Sequence, residues 1–380
     1  MSAFRIRLYL RRAVLLRNLF RQHLRLTPPR RDGSSRELAA LLAGSWREPR
    51  VPFDGTAEQV ATLAPLLLGS GAAGLAWRRI EDTPAASCAE AAGLRDAQRT
   101  YTLHHWVHQR EIKAVLGLLH EAGLDPVLIK GWAAARLYPD PGLRPYGDID
   151  LCVPAGDLAA ARRVLEGEAG RRYWVDLHAG FADIASPGAD PILARTQRVD
   201  LDGEGIRVLA AEDHLHLLAV HFLRHGAWRP LWLCDLAAAV EGRPPGFDWD
   251  RCLGPAPRRA EWVACAIRLA HELLGARIDD TPLASRPRTL PGWLVQTVLR
   301  QWQTPFAAAQ APQRHPLPMA EQLRQPAGLW RGLRQRWPDA ISATVSVEGA
   351  FDDRPRLSYQ LRDCARRAGR VLLRRPRGLP

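Results

Sequence analysis

The stretch that most constrains this chain is residues 127 to 153, VLIKGWAAARLYPDPGLRPYGDIDLCV. Val127-Leu128-Ile129, behind Pro126, is a short apolar run of strand type. Gly131 to Leu137 reads as the start of a helix. Pro139, Pro141, Gly142 and Pro145 mark a rigid loop, and Ile149 to Val153 reads as a second strand. Asp148 and Asp150 stand two apart at the head of that strand, and alternation puts positions i and i+2 on one face. Two carboxylates on one face repel each other unless cations neutralise them. A hard divalent ion such as Mg²⁺ suits that arrangement. Gly147, just ahead of the pair, lets the chain approach a ligand closely. Gly131, at a strand-to-helix turn, exposes backbone N–H groups where an anion can bind. A solvated strand end would account for neither two parallel acids behind a glycine nor the cradle upstream.

The surrounding pattern is helical on both sides. Residues 27 to 56 are broken by prolines, with one short helical pattern around Glu37 to Leu42. Thr56 to Leu75 and Ala92 to Ala122 have helical periodicity, and Gly123 caps the second of these. Asp157 to Leu165 reads as a helix and Tyr173 to Leu177 as a strand. From Glu212 through Val240, and again over Ala260 to Leu274, the pattern is helical. The expected organisation is a basic arm (1–34), an N-terminal helical region (35–122), a mixed α/β core (123–210), a helical domain (211–280), and a proline-rich segment with a basic helical tail (281–380). Residues 281 to 329 are expected to be irregular. The fold class is therefore α+β, a small mixed β-sheet core flanked by N- and C-terminal helical regions. A GxGxxG match, Gly69 to Gly74, follows a helical pattern and not a strand, so it reads as a helix stop and turn without dinucleotide binding.

The net charge is +13, and of 53 basic residues only Lys113 and Lys130 are lysines, which leaves 51 arginines. So lopsided a choice of arginine fits coding bias and a generally basic surface, and the surplus also implies attraction to anionic partners; it is strong at both ends. Arg5 to Arg25 lie among apolar residues, in the pattern of a basic amphipathic helix or a solvated arm. Arg354 to Arg377 form a basic tail. Arginines interrupt the apolar residues near the N-terminus, which argues against a secretory signal. No run approaches about 18 apolar residues, so no transmembrane segment is expected. The six cysteines are scattered with no CxxC pair. They fit reduced thiols in a cytoplasmic protein better than a disulfide framework.

The segment 128 to 153 resembles the DNA polymerase β-like nucleotidyltransferase superfamily, with its glycine turn followed by a DhDh strand. It is more closely similar to a bacterial family of uncharacterised nucleotidyltransferases. VDLHAGF at 175 to 181, IRVLAAEDHLHLLAVHFLRHG at 206 to 226 and LWLCDLAAAV at 231 to 240 fit the same family, so the resemblance spans roughly 35 to 275. It implies that Asp148 and Asp150 are the metal-binding acid pair. Asp176 would be the third acid, completing the metal site and orienting or deprotonating an attacking hydroxyl. Gly131 would be the phosphate-turn glycine. The chain departs from the superfamily at Lys130-Gly131-Trp132, where a second small residue is usual, and Lys130 would then supply a charge to the triphosphate. Arg144 is a candidate phosphate contact or a structural arginine of the proline loop. His178 shares a strand face with Asp176 and would contact nucleotide or acceptor, or pack. His214, His216, His221 and His225 would pack or line the acceptor side, since no HExxH or cysteine cluster argues for zinc.

The implied activity is Mg²⁺-dependent transfer of an NMP group from an NTP, with ATP the expected nucleotide and two Mg²⁺ ions, to an acceptor that the sequence leaves unnamed: a small molecule, a peptide or protein, or RNA. Two other readings remain at this point. One is a nucleotide binder that has kept the fold without turnover, and the other is a basic adaptor on nucleic acid or membrane. Retention of all three acids argues against the first.

Overall fold

A computed structural model describes residues 34–181, 190–285, 290–303 and 337–373. The basic N-terminal arm, most of the proline-rich segment and the last residues of the tail lie outside the described residues. The protein is α+β, a five-stranded mixed sheet flanked by helices on both sides of it in sequence.

The first four helices are α1 (Ser34–Leu42), α2 (Ala57–Ser70), α3 (Ala73–Ile80) and α4 (Ala89–Glu121). Thr56 opens α2 with a capping box, its hydroxyl accepting from the Gln59 N–H while the Gln59 side chain accepts from the Thr56 N–H. The Thr56–Leu75 pattern is two helices and not one, because Gly71 adopts φ 77° and ends α2. The GxGxxG stretch is thus a helix stop, as its sequence context indicates. In α4, Leu94 and Tyr101 face one apolar core, whereas Ile112, Val115, Leu116 and Leu119 face another.

The sheet begins after α4. Its strands are β1 (Val127–Leu128), β2 (Ile149–Val153), β3 (Val175–Ala179), β4 (Gln197–Leu201) and β5 (Glu204–Val208), in the order β3-β2-β1-β5-β4. β2 runs parallel to β3 and antiparallel to β1. β5 is parallel to β1 and antiparallel to β4. Between strands lie α5 (Trp132–Ala135), α6 (Leu158–Glu166) and α7 (Asp190–Ala194). Ile149, Leu151 and Val153 point to one face of the sheet, against the C-terminal half of α4 and against Ala161 and Leu165 of α6. Cys152 and Val127 point to the other, with Phe181, Ile192 and Leu217.

The C-terminal helices are α8 (Ala211–Arg224), α9 (Pro230–Glu241), α10 (Trp249–Leu253), α11 (Pro257–Leu274), α12 (Gly292–Trp302), α13 (Ala340–Ser346) and α14 (Leu357–Leu373). They do not form a separate core. Leu38, Leu67 and Leu75 from the N-terminal helices join Phe222, Leu236, Ile267 and Trp302 in one apolar cluster. The expectation of an irregular 281–329 is corrected at α12. There Leu294, Val295, Val298, Leu299 and Trp302 recur at helical spacing and are buried behind Pro291, a periodicity that the flanking prolines hide in a composition reading.

Candidate active site

Parallel pairing of β2 with β3 sets Asp150 beside Asp176 and Cys152 beside His178. All four therefore share one face, opposite the one that Ile149, Leu151 and Val153 bury. The Lys130 Nζ, two residues after β1, donates to Asp150 Oδ1 at 2.7 Å. His178 Nε2 lies 3.5 Å from Asp150 Oδ1 and 3.2 Å from Asp176 Oδ2. Its N–H direction satisfies a hydrogen bond to neither, so the contacts are charge pairing between one imidazole and two carboxylates.

The electrostatics follow from this crowding. The adjoining Asp150 carboxylate, and then that of Asp176, raise the His178 pKa to about 9 against the opposing effect of burial. His178 in turn holds Asp176 below the usual carboxylate range. Asp148, one residue before β2, has open surface but is ringed by protein at longer range. That loss of water, together with the Asp150 charge, raises its pKa. Among the described residues, donor atoms of Asp150, Asp176 and His178 lie within 4.8 Å of one another, a group able to hold a metal ion, and the Asp148 carboxylate stands outside it.

The turn carrying Gly131 has a conformation that side chains resist. Gly131 sits at φ 59° and ψ −109°, and a Cβ there would meet the Asp148 carbonyl oxygen at 3.3 Å. The helix it opens is only four residues long, shorter than the Gly131–Leu137 expectation. Its dipole is correspondingly small. Around Gly147, a Cβ would find nothing within 4 Å, so the glycine borders open space in front of the acids.

Of the two places expected for Arg144, the structural one is the one it occupies. Its guanidinium is buried and donates through Nε and Nη2 to the Asp235 carboxylate, the latter at 2.8 Å. Nη1 reaches toward the carbonyls of Gly131 and Pro145. Asp235 also accepts from the Tyr138 hydroxyl at 2.7 Å. Arg144 therefore ties the proline loop and the glycine turn to α9, and it has no free edge for phosphate. Asp235 lies 91 residues beyond Arg144, so no local spacing pairs the two. Nor does local spacing join the Tyr146 hydroxyl to His105 Nδ1, 3.1 Å away, a contact that fixes the loop just before Asp148 against α4.

The helical histidines divide. His216 Nδ1 is 2.7 Å from the Cys252 carbonyl, a packing role. His221 and His225 lie ring to ring, with centroids 4.4 Å apart, and both sit against Trp232. Burial, then His225 and Lys130 among other cations, push the His221 pKa down.

The family model described as uncharacterised nucleotidyltransferase matches residues 56–173 and 168–275. The chain belongs to this uncharacterised nucleotidyltransferase family. The two matches cover the sheet and the helices on either side of it, from α2 to α11, while the helical core also draws Leu38 of α1 and Trp302 of α12 from outside them. No curated protein and no solved structure matches the chain. Within the matched region the segment 127–153 contributes β1, β2, the glycine turn, Asp148 and Asp150.

Proposed function

We propose that the protein is a metal-dependent nucleotidyltransferase that moves an NMP group from an NTP, with ATP the leading candidate, to an acceptor hydroxyl. The observation that carries this reading is the convergence of Asp150, Asp176 and His178 on one sheet face, with Asp148 at its edge, within the fold of a nucleotidyltransferase family.

The donor set suits a hard cation. Carboxylate oxygens predominate; Lys130 and His178 balance their charge, and a divalent ion would take over that balance. Asp148, Asp150 and Asp176 would hold Mg²⁺, two ions in the expected stoichiometry. Bound there, the metal would stabilise charge on the attacking and leaving oxygens. The chain's own groups account for the rest. Asp176, held deprotonated by His178, accepts the proton of the acceptor hydroxyl. The hydroxyl oxygen forms a bond to the α-phosphorus as the bond to the β-phosphate oxygen breaks, and pyrophosphate leaves. Gly131 and Gly147 leave backbone and space for the phosphates, and Lys130 exchanges its bond to Asp150 for a triphosphate oxygen. His178 borders the nucleotide or the acceptor. Positioning and preset charge supply most of the rate gain.

The test is thermal stability with each NTP, with and without Mg²⁺, on the wild type and on Asp148→Asn/Asp150→Asn. An NTP at about 100 times its dissociation constant adds roughly 2.7 kcal/mol. The expected result is Mg²⁺-dependent stabilisation by at least one NTP that disappears in the double variant. A folded wild type that no NTP stabilises would overturn the proposal.

A further inference from the structure

Arg229, the residue before α9, differs from the other cations near the acids. Lys130 is paired with Asp150 and Arg144 with Asp235. Arg229 uses only its Nε, which donates to the Ser70 carbonyl at 2.7 Å at the end of α2. Among the described residues no carboxylate forms an ion pair with it, and no hydrogen bond uses either of its terminal nitrogens. Its guanidinium carbon lies 5.5 Å from the centre of the Trp232 ring, within reach of a cation–π contact.

Its location is set by a glycine. A Cβ on Gly71 would lie 2.5 Å from Arg229 Nη2 and 3.3 Å from Pro145 Cγ. Gly71, already needed for its left-handed φ, thus leaves the space into which the guanidinium fits. That space adjoins Pro145, three residues before Asp148, and Arg229 and Asp148 are close enough for their charges to act on each other. Loss of water, with Arg144 adding to it, lowers the Arg229 pKa to about 10, so the group stays charged at neutral pH. A poorly hydrated guanidinium anchored through its Nε, with terminal N–H groups unspent and within charge range of Asp148, suits a doubly hydrogen-bonded anion.

We propose that Arg229 binds the triphosphate of the nucleotide, its two terminal nitrogens donating to oxygens of the phosphates that leave as pyrophosphate. This rests on the nucleotidyltransferase reading above. It assigns to Arg229 the role expected of Arg144, and it gives the Gly69–Gly74 motif a purpose as the seat of that side chain. Trp232 is a positioning residue for it.

Calorimetric titration with magnesium tripolyphosphate tests the assignment, because that probe contains the phosphates without base or ribose. The expected result is binding to the wild type that weakens at least about tenfold in Arg229→Gln and less in Arg229→Lys. Affinity in a folded Arg229→Gln within about twofold of wild type would overturn it. Should Arg229→Gln not fold, arginine-selective modification of the wild type with phenylglyoxal decides. Magnesium tripolyphosphate must slow modification at Arg229, and equal modification with and without it would overturn the assignment. If the wild type binds neither tripolyphosphate nor any NTP, both proposals fall. If binding is lost in Asp148→Asn/Asp150→Asn but kept in Arg229→Gln, only the Arg229 assignment falls.

Discussion

Asp235 has no exposed surface, and its carboxylate holds both the Tyr138 hydroxyl and the Arg144 guanidinium. Removing it would leave a buried guanidinium without a counter-charge, the most damaging way to break such a pair. Asp235→Ala is expected to lower stability by about 3–5 kcal/mol, measured as a shift of the denaturant midpoint. Replacing the pair as a unit with apolar groups of similar volume should cost much less. At this scale the sequence is readable where partners are near in the chain and opaque where they are far. Asp148 and Asp150 show their shared face because two residues on a strand fix it. Arg144 carries the right charge for a phosphate, and only the tertiary fold brings it a carboxylate from α9. Arg229 has no local signature at all, since its place depends on a glycine in α2's cap.

At the scale of elements, the strand, glycine turn and DxD strand form as the local pattern indicates, as does most of α4. The β4–β5 hairpin is missed, although Asp202-Gly203 between two alternating runs is a recognised hairpin signal. The glycines of the GxGxxG stretch have an element-scale role that no motif search supplies. A Cβ on Gly74 would lie 2.8 Å from the Leu143 carbonyl oxygen and 3.1 Å from its Cα, so α3 packs directly on the backbone of the Pro141–Leu143 turn. Backbone cannot rotate out of the way as a side chain can. Gly74→Ala is expected to cost about 1–3 kcal/mol and to weaken nucleotide-dependent stabilisation, because the displaced turn leads to Asp148. Thermal denaturation with and without Mg²⁺ and the stabilising NTP measures both effects.

At the scale of the whole molecule, α4 passes from the helical core into the sheet core, and the end of α9 is tied to segments far away in sequence. Glu241 accepts from Arg47 at 2.7 Å and from the backbone N–H of Arg277 at 2.9 Å. Burial works to raise its pKa, but the Arg47 side chain, the Arg277 N–H and the Arg47 charge outweigh it and hold Glu241 at about 2, below its ordinary 4.5. A carboxyl with a depressed folded pKa contributes stability that is complete above the unfolded pKa and fades as pH falls toward the folded one. The wild type should therefore lose this contribution between about pH 4.5 and 2. Glu241→Gln should be less stable at neutral pH and flatter across that window, which melting temperatures over a pH series would reveal. The pairing of Lys130 with Asp150 also has a practical consequence. In a chain with 51 arginines and only two lysines, a reagent selective for side-chain amines has just two targets. One is at Lys113, on the outer part of α4, and the other stands among the three acids. Occupancy of the site can thus be followed as a single acylation rate, with Lys113 in the same molecule as the internal standard.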